Sequence, residues 1–506
     1  MPERTRPDRT VAIDGRTLGW ADLAAISRGE AAAKLEPEAR QRMADNAAWY
    51  AEHAPPDLLR SKWAWLVGGT PPAHTDEAVR LFVVSHCAGV GEPLPANEVR
   101  AMIAARANAL AAGWSGVRPI VVDRLLALLE RDLVPVVPAV GAVGAAGSIQ
   151  LAHVARVALG FGGEVLVDGV PAPAGPAIAA LGPVVPTEKE ALSLINGASW
   201  SNALAGLAVD RAARVLRAAE SAAALSLEVV RAEAGLLSVA AARVRGHAGA
   251  EAATRRLRDL VEGSELVAGN RRPDSFSVRC APVVLGAACD ALGYVQGVVA
   301  QELNAPSDNP LVLPDAGGVV EGGLFHAAPV ALAMDHLKVT LVQVASIAER
   351  RIFRMTYGRL SGLPSFLVAD SGVNSGLMLA QYTAASLLAE ARAMCVPAST
   401  DSIPTVQHQE DHVSMGPVAA RSALEVVDRV ADIVAIELLC AAQGLDLRMS
   451  GLVQPDGEVV PPQQPGPRTR ALHARVRALV ERWDDDQVLH PDLAALGRAV
   501  REGVFS

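Results

Sequence analysis

Between Asn196 and about residue 450 the chain is dominated by long stretches that little interrupts. Residues 202–244 hold two glycines and no proline, and they predict one long helix. Further helical patterns run over 281–303, 327–356, 374–394 and 415–444. Their Ala-rich faces suit close helix packing. Helices this long, without interior caps, predict an elongated bundle and not a compact globule. Aromatic residues make up only 4% of the chain, whereas strands favour aromatic and β-branched residues. The expected fold class is all-α (predominantly), a central helical bundle with a smaller mixed N-terminal domain.

Four regions are expected along the 506 residues. Residues 1–10 are charged, lack an apolar run, and predict a disordered start with no secretory signal. Residues 11–200 carry most of the Gly and Pro punctuation and form the N-terminal domain. It opens with a strand at Val11–Ile13, a turn at Asp14-Gly15 and helical patterns to about Arg60. Residues 201–460 form the long-helix domain. A Pro-rich break at 461–467 opens a C-terminal helical region, 461–506.

Asp and Glu number 55 against 46 Lys and Arg, a formal charge of −9. A mildly acidic body argues against nucleic acid or a membrane surface as partner. The longest uncharged stretch, between Asp132 and Arg156, is broken by Pro135, Pro138 and several glycines and predicts no spanning helix. Cys87, Cys280, Cys289, Cys395 and Cys440 are scattered, with no CxxC pair. They predict reduced thiols, neither a disulfide framework nor a zinc site. A soluble, cytoplasmic protein is expected.

The Gly-rich element runs Gly141-Ala142-Val143-Gly144-Ala145-Ala146-Gly147-Ser148. Gly at every third position permits tight turns or a close backbone approach to a ligand. The spacing is not that of a dinucleotide fingerprint, and no Lys follows as in a phosphate loop. Around it stand SHCAGVGEPL (85–94), VPAVGAVGAAGSIQLAH (137–153), LSLINGAS (192–199) and DSFSVRC (274–280). Further on come SDNPLV (307–312), GGLFHAAP (322–329), LPSFLVADSGVNSGLM (363–378) and HQEDHVSM (408–415).

This series, in this order, resembles the histidine and phenylalanine ammonia-lyase family from about residue 11 to the C-terminus. The resemblance implies an almost all-helical homotetramer whose active sites are each built from three subunits. It also implies an internal electrophile, methylidene-imidazolone, made when an Ala-Ser-Gly triad cyclises and its Ser hydroxyl leaves as water. Here the triad reads Ala145-Ala146-Gly147. Ala146 has no leaving group, so no such cofactor is expected. Ser148 stands two positions on, and cyclisation there would need the amide of bulky Ile149 in place of Gly.

Other departures point the same way. The family's catalytic tyrosine loop matches a stretch beginning at Trp63, with Leu66 at the loop Asn. The second family tyrosine is Phe276, and the Asn usual in GGNFH is Leu324. Neither Trp nor Phe moves a proton as a phenol does. What persists is a pocket-like set. By resemblance Arg279 holds a substrate carboxylate bidentately, and Asn196, Asn309, Phe325 and Gln409 line the pocket. Phe276 and Trp63 are expected beside them.

Replacement proton carriers are sought among Glu410, His86, His408 and Tyr357. Glu410 would act as a base if desolvation raised its pKa. His408 and His412 would share a face if helical, as metal ligands do. The HExxH order is missing and the family uses no metal here, so a satisfied polar network is expected and no metal. The resulting expectation is acid/base elimination, conjugate addition or cyclisation on an amino-acid-derived or unsaturated carboxylate. The alternatives are a non-catalytic protein, including a partner subunit in a hetero-assembly with an active paralogue, and a genuine aromatic amino acid ammonia-lyase.

Overall fold

The computed structural model describes residues 7–54, 76–144, 148–267, 274–453 and 459–506. Expectations for residues 1–6, for Trp63 and Leu66, and for Ala145, Ala146 and Gly147 fall outside the described residues. The chain divides into two compact units, neither continuous in sequence. One joins Met1–Asp210, Gln296–Asp335 and Pro397–Arg421; the other joins Arg211–Val295, His336–Val396 and Ser422–Ser506. These divisions are not the cuts expected near 200 and 460. Four of the five boundaries fall inside long helices such as Ser199–Val229, and the fifth lies at Pro397.

In the first unit Arg9–Ile13 pairs in parallel with Ala31–Leu35, and the Trp20–Arg28 helix lies between them in sequence. The strand thus begins inside the stretch expected to lack order. Ala31–Leu35 is a strand where a helix was expected. Its composition favours helix, but pairing with the buried Ile13 overrides that weak preference. The Ala96–Ala111 helix buries Val99, Met102, Ile103, Ala107 and Leu110, so it is apolar on nearly every side. Antiparallel Pro138–Val140 and Val90–Pro93 pair just before the Gly-rich segment.

In the second unit the first long helix stops at Val229, not at residue 244. Arg231 adopts a left-handed φ of 55°, and Ala232 N–H reaches back to the Leu227 carbonyl at 2.9 Å. The buried Arg448 donates Nε and Nη2 to the Val229 carbonyl at 3.1 and 3.0 Å, satisfying an acceptor that further helix would have used. A 3₁₀ turn at Ala234–Leu237 and a helix at Val239–Arg245 follow. Ala281–Glu302, Ala328–Thr356 and Met378–Ala393 lie close to their expected spans, and Gly416–Ser450 runs six residues further than expected. The fully buried Arg351 and Glu437 pair bidentately, Nε–Oε1 2.6 Å and Nη2–Oε2 2.9 Å, and Ser226 Oγ donates to the same carboxylate at 2.7 Å.

Two of these helices, Ala281–Glu302 and Ala328–Thr356, are long and apolar enough to cross a membrane by length and composition. The second is mostly buried, as a core helix is, but the apolar window of the first is only 33% buried. Ala281, Leu285, Ala288, Leu292, Val295 and Val299 form its inward stripe at helical spacing. Val283 and Tyr294 stand exposed on it, and a Cβ added at Gly293 or Gly297 would meet nothing within 4 Å among the described residues. No two of the five cysteines form a disulfide among the described residues.

Candidate active site

Motifs far apart in sequence converge in the first unit, and the Gly-rich segment is their centre. Gly141 (φ 150°) packs so tightly that an added Cβ would lie 3.0 Å from Ile149 Cδ1 and 3.5 Å from the Gly89 Cα of the SHCAG motif. At Gly144 (φ 83°) the contact is closer: a Cβ would lie 2.2 Å from Ser414 Oγ and 2.9 Å from the Gly416 amide. The Ser414 hydroxyl instead donates to the Gly144 carbonyl at 2.9 Å, and Met415 N–H donates to the Val143 carbonyl at 2.8 Å. Glycine is required here both for the left-handed backbone and for this approach. On the far side of residues 145–147, Ser148 N–H donates to the Ile195 carbonyl at 2.7 Å, joining the segment to LSLING.

Asn196 continues the chain of contacts. Its Nδ2 donates to Asp308 Oδ1 at 3.0 Å and to the Asn309 carbonyl at 2.9 Å. Asn309 Oδ1 accepts from Gly322 N–H at 2.7 Å, which ties SDNP to GGLFH. Burial opposes the charge on Asp308, but Lys189, at 3.0 Å, and Arg106 outweigh it and hold the carboxyl well below the usual carboxylate range. Asn196 and Asn309 are therefore part of the scaffold here. The Asn196 Oδ1 is buried and unpartnered among the described residues.

His408 and Glu410 lie in a stretch that is not α-helical. Val406, Gln407 and His408 have φ of 47°, 52° and 67°, three successive non-Gly residues in the left-handed region. Such backbone is strained, most of all for β-branched Val406. Only a single 3₁₀ turn forms, Val406–His408, so His408 and His412 share no helical face. His412 Nδ1 instead meets His326 Nε2 at 3.2 Å. Burial and the neighbouring His412 lower the His326 pKa. Among the described residues no three His, Cys, Asp or Glu side chains cluster as metal ligands do. Glu410 Oε2 accepts from Thr405 Oγ1 at 2.7 Å; the carboxylate is half-buried, while His408 and Gln409 are exposed.

His86 is held against its own helix. Its Nδ1 lies 2.7 Å from the Phe82 carbonyl, which can only accept, so Nδ1 is the donor of that contact. Phe325 is half-buried. Arg279, Phe276 and Tyr357 belong to the second unit. Arg279 ends a short helix, Phe276–Arg279, and is exposed, with no carboxylate partner among the described residues. Phe276 is 76% exposed, so in this chain it fills no pocket. Tyr357 precedes an ordered helical turn, Gly358–Ser361, with its ring tilted against Phe353.

A cavity of about 200 Å³ lies against the Gly-rich segment, lined by Gly141, Val143, Gln150, Trp200, Met415 and Arg421. Arg421 Nη1 donates to the Ala139 carbonyl at 2.9 Å. The cavity is smaller than most ligand sites, which begin at about 300 Å³. Sequence reasoning singled out none of Ser414, Trp200 or Arg421. Only Ser414 had a visible signal, its place in HQEDHVSM. The residues present do not suit methylidene-imidazolone. Ala146 carries no hydroxyl, and the Ser148 hydroxyl is buried without a partner among the described residues at the start of the Ile149–Ala158 helix. Ile149, whose amide would have to attack, is already that helix's first residue.

The sequence pattern of the aromatic amino acid lyases matches residues 65–478. A histidine ammonia-lyase from Anaeromyxobacter sp. (strain K) is 42% identical, over 98% of this chain and 99% of its own. The crystal structure of histidine ammonia-lyase from Trypanosoma cruzi superposes with a TM-score of 0.88 at 35% identity, covering 98% of this chain and 94% of that one. Tyrosine aminomutase from Streptomyces globisporus superposes with a TM-score of 0.86 at 31% identity, covering 98% and 97%. The predominantly helical fold expected from the sequence is that of these neighbours, and the chain belongs to the aromatic amino acid lyase family.

Proposed function

We propose that this protein binds an amino acid, or an unsaturated carboxylate derived from one, and acts on it by acid/base elimination, conjugate addition or cyclisation without an internal electrophile. Ala146 carries this reading: with a methyl group in the triad there is no hydroxyl to expel. Phe276 and Trp63 at the positions of the family's phenols support it, because the proton-moving groups change together with the electrophile. The ordered Gly-rich scaffold around Gly144 and Ser414 argues that the architecture of the site is retained.

The site is completed by further subunits. Arg279, Gln409, His408 and Phe276 are all exposed in a single chain, where a carboxylate clamp would be diluted by water. The Ala281–Glu302 helix leaves an apolar face, with Tyr294 and two open glycines, that a second copy can cover. A homotetramer with shared sites accounts for both. A hetero-assembly with a complete lyase would use the same surface.

A genuine histidine ammonia-lyase is the second reading, favoured by the 42% identity to a relative of that name over nearly the whole chain. An ultraviolet assay of the purified untagged protein with histidine, phenylalanine and tyrosine separates the two. Steady formation of the conjugated enoic acid, absent after heat killing, establishes the second reading and sinks the first. No product at high enzyme concentration removes it. Turnover of an unsaturated acid or amino-acid derivative then supports the first reading, and no turnover of any such compound supports the non-catalytic subunit.

A further inference from the structure

The Pro467–Arg477 helix, PRTRALHARVR, carries four arginines and a histidine and no acid. Three of these five find side-chain partners. Arg477 Nε donates to Asp446 Oδ2 at 2.9 Å, His473 Nε2 lies 2.7 Å from Asp446 Oδ1, and Arg470 Nη2 donates to Gln464 Oε1 at 2.6 Å. Arg468 and Arg475 differ. They stand seven positions apart and so share a face. Arg468 Nη1 donates only to the Asp259 carbonyl at 3.0 Å, and Arg475 Nη1 only to the Val504 carbonyl at 3.4 Å. Neither has a carboxylate partner among the described residues.

Both line a cavity of about 410 Å³ whose other walls carry Arg217, Arg256, Glu220 and Asp259. Glu220 is buried, and both its oxygens are already engaged. Arg217 Nη1 meets Oε2 at 3.0 Å, Arg256 Nε meets Oε2 at 2.9 Å, and Arg256 Nη2 meets Oε1. The Asp259 carboxylate faces Arg258 Nε at 3.8 Å. The lining side chains thus set four guanidiniums against two carboxylates, with Ser506, the last residue of the sequence, also on the wall, and among the described residues neither carboxylate pairs with Arg468 or Arg475. Gathering like charge in one partly enclosed volume is unfavourable, and a bound anion relieves it. Guanidinium forks match phosphoryl and carboxylate oxygens in pairs. The volume lies within the range of small-molecule sites.

We propose that this cavity binds a small polyanion bearing at least two phosphoryl or carboxylate groups, held by Arg468 and Arg475 with Arg217 and Arg256 opposite. The site lies wholly in the second unit, shares no residue with the candidate active site, and does not depend on the reading of its function.

Titration calorimetry of the full chain with inorganic pyrophosphate, and separately with citrate, at near-physiological ionic strength tests it. Saturable binding of one anion per chain is expected, weakened about 100-fold or more in R468A/R475A, since two charge-assisted hydrogen bonds are lost. R468K/R475K keeps the charge, loses the fork and falls in between. R245A/R255A removes the same charge from arginines outside the cavity and leaves affinity within about threefold. Pyrophosphate alone binding marks a phosphoryl ligand, and citrate alone a polycarboxylate; either supports the proposal. No saturable binding of either anion overturns it. So does equal loss in R245A/R255A, or no loss in R468A/R475A that circular dichroism shows to be folded.

Discussion

The Ser414 hydroxyl donates to the Gly144 carbonyl at 2.9 Å, across 270 positions of sequence. This contact fastens the end of the Gly-rich segment to the residues that open the Gly416–Ser450 helix, where Gly416 N–H in turn donates to Ser414 Oγ at 3.2 Å. An Ala at 144 would need a left-handed backbone and would place its Cβ 2.2 Å from that hydroxyl. G144A should therefore lose about 2 kcal/mol or more in urea unfolding. S414A, which removes one partly buried hydrogen bond, should lose about 1 kcal/mol. A G144A protein as stable as the parent would mean the segment is not seated as described.

Restoring the triad serine tests whether the site has diverged in more than one residue. A146S supplies the missing hydroxyl but leaves Phe276, Trp63 and the Ser148-Ile149 helix start unchanged. The variant should still form no conjugated acid from histidine or phenylalanine. New turnover in A146S alone would show that the remaining departures are tolerated.

Arg279 gives a direct test of carboxylate binding. If it clamps the ligand once neighbouring subunits close the site, R279A should weaken affinity for histidine or its enoic acid by about 30-fold, the loss of one charge-assisted pair. R279K should fall between. Unchanged affinity in R279A would end the clamp assignment.

Burial pushes the Glu228 carboxyl up to about 7 from an ordinary 4.5, against hydrogen bonds from Gly466 N–H (2.8 Å) and Thr469 Oγ1 (2.9 Å). Between those values the folded chain keeps a proton that the unfolded chain has lost. This contribution is therefore present in full below about pH 4.5 and is lost as pH rises through about 7. At 1.36 kcal/mol per unit it amounts to about 3 kcal/mol. E228Q should remove that slope from urea midpoints measured at about pH 5 and about pH 7.5. An identical pH dependence in parent and variant would place the slope elsewhere.

The Arg351–Glu437 pair is fully buried, so removing one partner leaves an uncompensated charge. R351M should cost about 3–5 kcal/mol, and R351M/E437L should recover part of it. A cost for R351M under about 1 kcal/mol would show that water reaches Glu437.

The long helices were legible because their signal is local. The stripe of Ala281, Leu285, Ala288 and Leu292 repeats at the helical period, and that repeat alone sets both the element and its buried face. The lack of a hydroxyl at residue 146 was legible for a similar reason. Whether residue 146 can expel a hydroxyl depends on its own side chain and nothing else. Recognition of the eight motifs needed only their order.

Whatever depends on a distant partner was not legible. Residues 202–244 read as one helix, but the end at Val229 is set by Arg448, which reaches it from 219 positions away. Ala31–Leu35 became a strand because Arg9–Ile13 lies beside it. His408 and His412 stand four apart, as ligands on a helix do, yet the left-handed run at 406–408 turns that spacing into separate positions and gives His412 to His326. The seating of Gly144 under Ser414 and the lack of a carboxylate partner for Arg468 and Arg475 among the described residues are likewise tertiary facts. Periodicity reports what each residue prefers; which donor meets which acceptor is decided only when the chain has folded back on itself.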